Sequence, residues 1–130
     1  MSDWWQWSPK KEVDQLGFAV VGIGRFGTAV CRELANNGAE VLAVDSSERA
    51  IDELRQLDPS IEARVVDSTD EESMREAGVL EMGTVVVGIS EPIEASITTT
   101  LIAKDSDGSR VATVIARATS DLHEKMLKRV

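Results

Sequence analysis

The chain of 130 residues reads as an α/β domain with a doubly wound parallel sheet. Three observations predict that class. Short runs rich in β-branched residues alternate with helical stretches from Leu16 onward. The first run, Phe18 to Val21, flows into Gly22-Ile23-Gly24-Arg25-Phe26-Gly27, and a second, Val41 to Val44, stops at Asp45. A strand, a tight glycine turn and a helix that begins on that turn account for this spacing.

Taken in order, the strands fall near 17–22, 40–45, 62–66, 83–89 and 111–116, and the helices near 25–37, 47–56, 70–77, 92–104 and 119–129. The strand runs are apolar at consecutive positions, as expected of strands covered on both faces. Asn37-Gly38 ends the first helix and Asp58-Pro59 closes the second. Ser68-Thr69-Asp70-Glu71-Glu72 supplies a cap and an acidic first turn for the third. The winding predicts a Rossmann-like strand order of 3-2-1-4-5 with helices on both faces, and a ligand crevice at the carboxyl ends of the first and fourth strands.

The loops at that edge are the candidate site. Gly22 permits the turn, Gly24 lets a pyrophosphate approach the backbone, and Gly27 lets the helix lie against the strand. The helix N-terminus then presents unsatisfied N–H groups and a positive dipole end to phosphate, with Ile23, Arg25 and Phe26 in the same loop. Asp45 suits the ribose hydroxyls and disfavours a 2′-phosphate, so NADP is the less suitable ligand; Asp45 could instead cap the helix after Ser46, Ser47 and Glu48. Asp67 and Ser68 lie where an adenine edge would be read, or merely turn the chain. Ile89 and Ser90 follow the fourth strand, and Arg117 emerges after the fifth, either as a phosphate or ribose contact or as one half of a surface salt bridge.

Composition narrows the function. A formal net charge of −9 argues against nucleic acid as a partner. Cys31 and His123 are each alone, which removes an intramolecular disulfide and a thiol metal cluster; Cys31 reads as a buried core residue and His123 as a surface or interface polar contact. No run approaches the ~20 apolar residues of a membrane span and the N-terminus lacks a signal-peptide apolar segment, so a soluble cytoplasmic protein is expected. The chain is too short for a dinucleotide domain plus a substrate domain. Trp4, Trp5 and Trp7 crowd a Trp-rich extension over 1–15, which would pack on its own domain, dock on a partner, or touch a membrane interface beside Lys10 and Lys11. Ile93, Ile97, Leu101 and Ile102 on the fourth helix, with Leu122, Met126 and Leu127 on the last, predict a dimer face.

With these pieces in place, residues 16–130 resemble the N-terminal lobe of the RCK (KTN, TrkA-N) domain of Ktr/Trk-type potassium-uptake regulators. The resemblance rests on Phe18 to Gly27, Glu40 to Asp45, Asp67 to Glu71, Val85 to Ile89 with Ala95-Ser96, and Leu122 to Val130. The Arg-Phe pair inside the glycine loop is its most specific part. It implies a cytosolic, non-enzymatic regulatory subunit beneath the membrane, in which dimers form a higher ring under a potassium-translocating membrane subunit. ATP or ADP, or alternatively NADH or NAD⁺, would be the ligand. Gly22, Gly24, Arg25, Phe26 and Gly27 would hold phosphates, Asp45 the ribose, Asp67 and Ser68 the adenosine side, with Ile89, Ser90 and Arg117 lining the rest.

Two departures stand out. Glu91 and Glu94 bring negative charge toward the phosphate end, which requires an intervening cation if they take part. The family continues past the position of Val130 into a further strand and a C-terminal lobe, so the chain corresponds to the N-lobe. The competing readings are an NAD(H)-responsive redox sensor of the same fold and a fragment of an NAD-dependent oxidoreductase. The latter lacks an evident acid or base, since His123 falls on the last helix and the chain has no Tyr.

Overall fold

The computed structural model describes residues 17–130, together with the backbone of residues 4–7. Strands β1 (Trp4–Trp7), β2 (Phe18–Val21), β3 (Val41–Asp45), β4 (Glu62–Val65), β5 (Thr84–Val87) and β6 (Thr113–Arg117) form one sheet in the order β1-β6-β5-β2-β3-β4. Helices α1 (Arg25–Asn36), α2 (Glu48–Leu57), α3 (Glu71–Ala77), α4 (Ile93–Asp105) and α5 (Asp121–Arg129) connect or follow the parallel strands. Strands β2 to β6 pair in parallel and reproduce the expected 3-2-1-4-5 order. Val21 is in register with both Val44 and Val87. The three central strands therefore end level, and the loops that follow them share one edge.

The sheet has a sixth strand beyond the five the sequence predicts. β1 pairs antiparallel with β6, with Trp4 opposite Arg117 and Trp7 opposite Val114, so the backbone of the Trp-rich segment extends the sheet. Partner or membrane contact by its aromatic faces, and the part given to Lys10 and Lys11, fall outside the described residues. A short 3₁₀ turn, Val79–Glu81, lies between α3 and β5 and buries Val79 and Leu80.

Alternate strand residues feed two cores. Val20, Val41, Ala43 and Val86 pack with Cys31 of α1 and Ile51 and Leu54 of α2. Ala19, Val21, Leu42, Val44, Val85, Val87, Val114 and Ala116 face Met74 of α3, Ala103 of α4 and Leu127 of α5. Burial on both faces explains the unbroken apolar runs, since each fully buried Val contributes about 1.5–3 kcal/mol. Cys31 is the buried core residue expected, and burial pushes its thiol up to about 12.

α4 corrects the reading of its apolar face. Its buried stripe is Ser96, Thr99, Thr100 and Ala103, whereas Leu101 is exposed and Ile97 and Ile102 are half-buried against the core. Small residues let the helix lie close to its neighbours, and their hydroxyls are satisfied inside the fold: Thr100 donates to the Ser96 carbonyl at 2.9 Å. On α5, Leu127 is buried rather than part of an outer face, while Leu122 stays exposed.

His123 is a second correction. It is fully buried, not a surface group. Its Nδ1 accepts from the Thr119 N–H at 3.2 Å, which leaves Nε2–H to donate to Ser96 Oγ at 2.9 Å. Burial pushes the imidazole below its ordinary range. The unfolded chain then binds a proton that the folded chain resists, so stability falls as pH drops through the unfolded value of about 6.5. Urea unfolding at about pH 7.5 and pH 5.5 is expected to show a larger loss of stability in the wild type than in His123→Gln, which lacks that proton site. Equal losses would remove His123 from the pH response.

Candidate functional site

A cleft of about 300 Å³ opens at the carboxyl ends of the central strands. It gathers Gly22, Ile23 and Gly24 after β2, Asp45 and Ser46 at the end of β3, Asp67, Ser68 and Thr69 after β4, and Ile89 and Ser90 after β5. These groups come from four separate loops, brought together by the parallel winding and the level strand ends. The volume is at the lower end of small-molecule sites.

The glycine loop has the geometry its spacing predicts. Gly22 has a φ of +95°, a left-handed conformation that disfavours any side chain. At Gly27 an added Cβ would meet the Gly22 carbonyl oxygen at 1.9 Å, so α1 and β2 touch backbone to backbone. Gly24 differs from both: a Cβ built there meets nothing within 4 Å, and the residue lies where the cleft adjoins the groove between α1 and α2, lining both. Gly24 is also the N-cap of α1, and no side chain caps that helix. Ser47, Asp70 and Ser120 cap α2, α3 and α5 with their own oxygens, accepting from Ala50, Ser73 and His123 N–H groups. The helices without a side-chain cap are α1 and α4, whose N-caps Gly24 and Pro92 both line the cleft.

Asp45 ties two loops together. Its Oδ2 accepts from the Ile23 N–H at 2.6 Å and its Oδ1 from the Ser47 N–H at 2.8 Å. The cap of α2 is Ser47, so Asp45 is not the cap residue, and its carboxylate stands beside the glycine loop at the cleft wall. Across the cleft, the Thr69 hydroxyl at 2.6 Å and N–H at 3.0 Å both donate to Asp67 Oδ1. These bonds, the hydroxyl's first, hold the Asp67 carboxyl below its usual range, so it stays anionic.

Four of the expected site residues lie elsewhere. Arg25 is exposed and lines a groove between α1 and α2 that it shares with Arg32 and Glu53. Phe26 is half-buried against the core beneath α1 and α2, with its ring beside Gly88. The Arg117 guanidinium sits over that ring, 5.2 Å from its centroid, in a cation–π contact. Gly27 acts through the helix–strand contact. Conversely, Gly88, Pro92 and Ala95 line the cleft, and Thr99 stands behind Ser68. Ala95 and Thr99 are one helical turn apart, a pairing that becomes visible only once α4 is seen to bury its small residues. Glu91 reaches the cleft lining, as its position after the fourth parallel strand suggested, whereas Glu94 does not.

The comparisons agree with this geometry. The family model of the TrkA-N domain matches residues 18–130. Ktr system potassium uptake protein C of Bacillus subtilis (strain 168) is 40% identical over 113 residues, which is 87% of this chain and 49% of that protein. Ktr system potassium uptake protein A of Vibrio alginolyticus is 36% identical, again over 87% of this chain and 49% of its own length. The chain thus spans about half the length of the curated relatives it matches. Among solved structures, the TrkA-N domain of the inner membrane protein ybaL from Escherichia coli has a TM-score of 0.76 at 20% identity, covering 89% of this chain and 82% of that one. The NAD(P)-binding domain of an exopolyphosphatase-related protein from Archaeoglobus fulgidus has a TM-score of 0.72 at 26% identity, covering 88% of this chain and 81% of that one. By sequence and by fold, this chain belongs to the TrkA-N domain family and is a homologue of the Ktr potassium uptake proteins.

Proposed function

We propose that the cleft binds an adenine nucleotide and that this domain is the nucleotide-sensing lobe of a cytosolic Ktr-type regulatory subunit, which gates a membrane potassium-translocating partner. The observation that carries the reading is the juxtaposition of an uncapped helix N-terminus, an open Gly24 and the Asp45 carboxylate along one wall. Phosphate at the helix N-terminus and ribose hydroxyls at Asp45 satisfy both ends of that wall. Identity to the Ktr proteins, which are named for potassium uptake, supports a regulatory and non-enzymatic output. Among the described residues no helix is long and apolar enough to cross a membrane. Exposed Leu122, Met126 and Leu101 on α5 and α4 offer apolar area for a homodimer, which would build the higher ring in the full-length protein.

A second reading, an NAD(H)-responsive sensor, is supported by the likeness to the NAD(P)-binding domain from Archaeoglobus fulgidus. Both ligands share an adenosine and a pyrophosphate; they differ in what lies beyond it. A ligand shifts a conformational equilibrium only by its differential affinity for the two states, so ATP sensing needs a group that counts the third phosphate. In the ATP reading Arg25 is that group, reaching from the adjoining α1/α2 groove to the γ-phosphate of a nucleotide in its own cleft or in that of a neighbouring subunit.

Calorimetry with ATP, ADP, NADH and NAD⁺ tests the proposal. Binding of ATP and ADP in preference to the dinucleotides is expected, whereas tighter binding of NADH or NAD⁺ favours the second reading. Arg25→Ala is expected to weaken ATP by roughly ten- to a hundredfold, the worth of a charge-assisted hydrogen bond, while ADP changes little. An unaltered ATP-to-ADP ratio in that variant would end the phosphate-counting role of Arg25.

A further inference from the structure

We infer that the groove between α1 and α2 is a second nucleoside site, so that cleft and groove together take a dinucleoside polyphosphate, one nucleoside in each and the phosphates passing over Gly24. The inference rests on the nucleotide reading above and extends it to a longer ligand.

The two concavities adjoin. Ile23 and Gly24 line both, so a chain of phosphates that starts at the α1 N-terminus has the groove open beside it. The groove belongs to the sheet face covered by α1 and α2, whereas Pro92 and Ala95 bound the cleft from the start of α4, which packs on the other face. It is therefore separate from the loop after β5, where Ile89 and Ser90 line the cleft.

Charge directs the distal phosphates toward the groove. Asp45, Asp67 and Glu91 line the cleft, and among the described residues no Lys or Arg does. The guanidinium groups nearest the glycine loop, Arg25 and Arg32, line the groove instead. In a chain with 23 acidic and 14 basic residues, Arg49, Arg55, Arg64, Arg75 and Arg110 each pair with a carboxylate. Among the described residues neither Arg25 nor Arg32 is in an ion pair. The acid that shares their groove, Glu53, lies 3.3 Å from Arg49 and is already neutralised.

Spacing then sets the length of the ligand. Arg25 and Arg32 stand two turns apart on one face of α1, a rise of about 10 Å. A third phosphate meets the nearer guanidinium and stops short of the farther one. What lies between is apolar, with Ala29 of α1 facing Leu54 and Leu57 of α2, and Leu57 is 53% exposed. At about 480 Å³ the groove is also roomier than the cleft of about 300 Å³. A flat heterocycle suits this lining, because its face covers aliphatic side chains while a guanidinium stacks on its π-system. A bare phosphate leaves Leu57 in water, and an uncharged apolar ligand leaves both arginines unused. A nucleoside joined through phosphates meets all of them.

Calorimetry with ADP, adenosine tetraphosphate and diadenosine tetraphosphate, on the wild type, Arg32→Ala and Leu57→Ser, tests the inference. Both substituted residues are exposed, so the fold is expected to survive either change. The wild type is expected to bind diadenosine tetraphosphate at least about tenfold more tightly than adenosine tetraphosphate, which has the same phosphates without the second nucleoside, and to take up one molecule per chain. Arg32→Ala is expected to weaken the diadenosine ligand about tenfold and Leu57→Ser about fivefold. ADP should bind all three proteins within about twofold, a constancy that general damage to the domain would not preserve. Should one variant lose ADP binding as well, the other decides. Equal affinity of the wild type for the two tetraphosphates overturns the inference and leaves nucleotide binding intact, as does a preference unchanged in a variant that still binds ADP. One diadenosine molecule per two chains overturns it too, since the ligand then bridges two clefts. Failure of the wild type to bind ADP or either tetraphosphate overturns the adenine-nucleotide reading and this inference with it.

Discussion

Gly27→Ala is expected to lower the thermal unfolding midpoint by about 10 °C, the equivalent of roughly 3 kcal/mol of overpacking in a domain of this size. The added carbon would stand 1.9 Å from the Gly22 carbonyl oxygen and 3.0 Å from the Gly22 carbonyl carbon. Both are backbone atoms, so no rotamer change relieves the contact, and α1 must move off β2. That movement spreads, because Phe26 beside it is packed on Gly88 and under Arg117, and Cys31 one turn further along lies in the core. Gly22 cannot yield, since its own φ of +95° and the nearby β5 end hold it. Circular dichroism during heating measures the effect. A midpoint within about 2 °C of the wild type, less than 1 kcal/mol, would show that the helix rides higher on the strand than described. Nucleotide affinity should fall with the fold, as the α1 N-terminus moves away from the cleft.

That contact is one of the parts legible in the sequence, and the reason is physical. The residue types that close a βα turn are few, and Gly22, Gly24 and Gly27 each meet a different one of its requirements. The same holds for Asp45, whose place at the end of a run of apolar residues put it on the cleft wall. The parallel order of β2 to β6 followed from alternation of strand and helix, because right-handed crossovers leave few topologies. What escaped was decided by partners far away in the chain. Arg117 has the strand-end position of a ligand contact, and only the fold brings Phe26 beneath it. His123 carries no sequence mark of burial; its partners are Thr119 nearby and Ser96 on another helix. In α4 the apolar periodicity of Ile93, Ile97 and Leu101 masks the hydroxyl residues that are in fact inside. β1 escaped because four residues are too few to show a period, and its pairing with β6 spans nearly the whole chain.

Gly24→Val separates binding from folding, and it should produce the largest change in affinity of any single substitution in the cleft. Gly24 has φ −91° and ψ −155°, outside the left-handed region that demands glycine, and an added Cβ meets no protein atom within 4 Å. Nothing in the folded chain therefore opposes the side chain, and stability is expected to stay within about 0.5 kcal/mol of the wild type, as for a surface position. Gly24 is the N-cap of α1 and lines the cleft, so added bulk there crowds the α1 N-terminus, where orphan N–H groups are worth most to a phosphate only at direct contact distance. Two branched methyl groups would hold a pyrophosphate off those donors. Several charge-assisted bonds, each about 1.5–3 kcal/mol, would be weakened together, so ATP, ADP, NADH and NAD⁺ should all lose at least about a hundredfold in affinity. The contrast with Gly27→Ala is the informative part, since Gly27 serves the fold, whereas Gly24, three residues before it, serves the ligand in the proposed reading. Wild-type affinity in a stable Gly24→Val protein would mean that phosphate does not enter over the glycine loop, and the nucleotide reading of the cleft would fall with it.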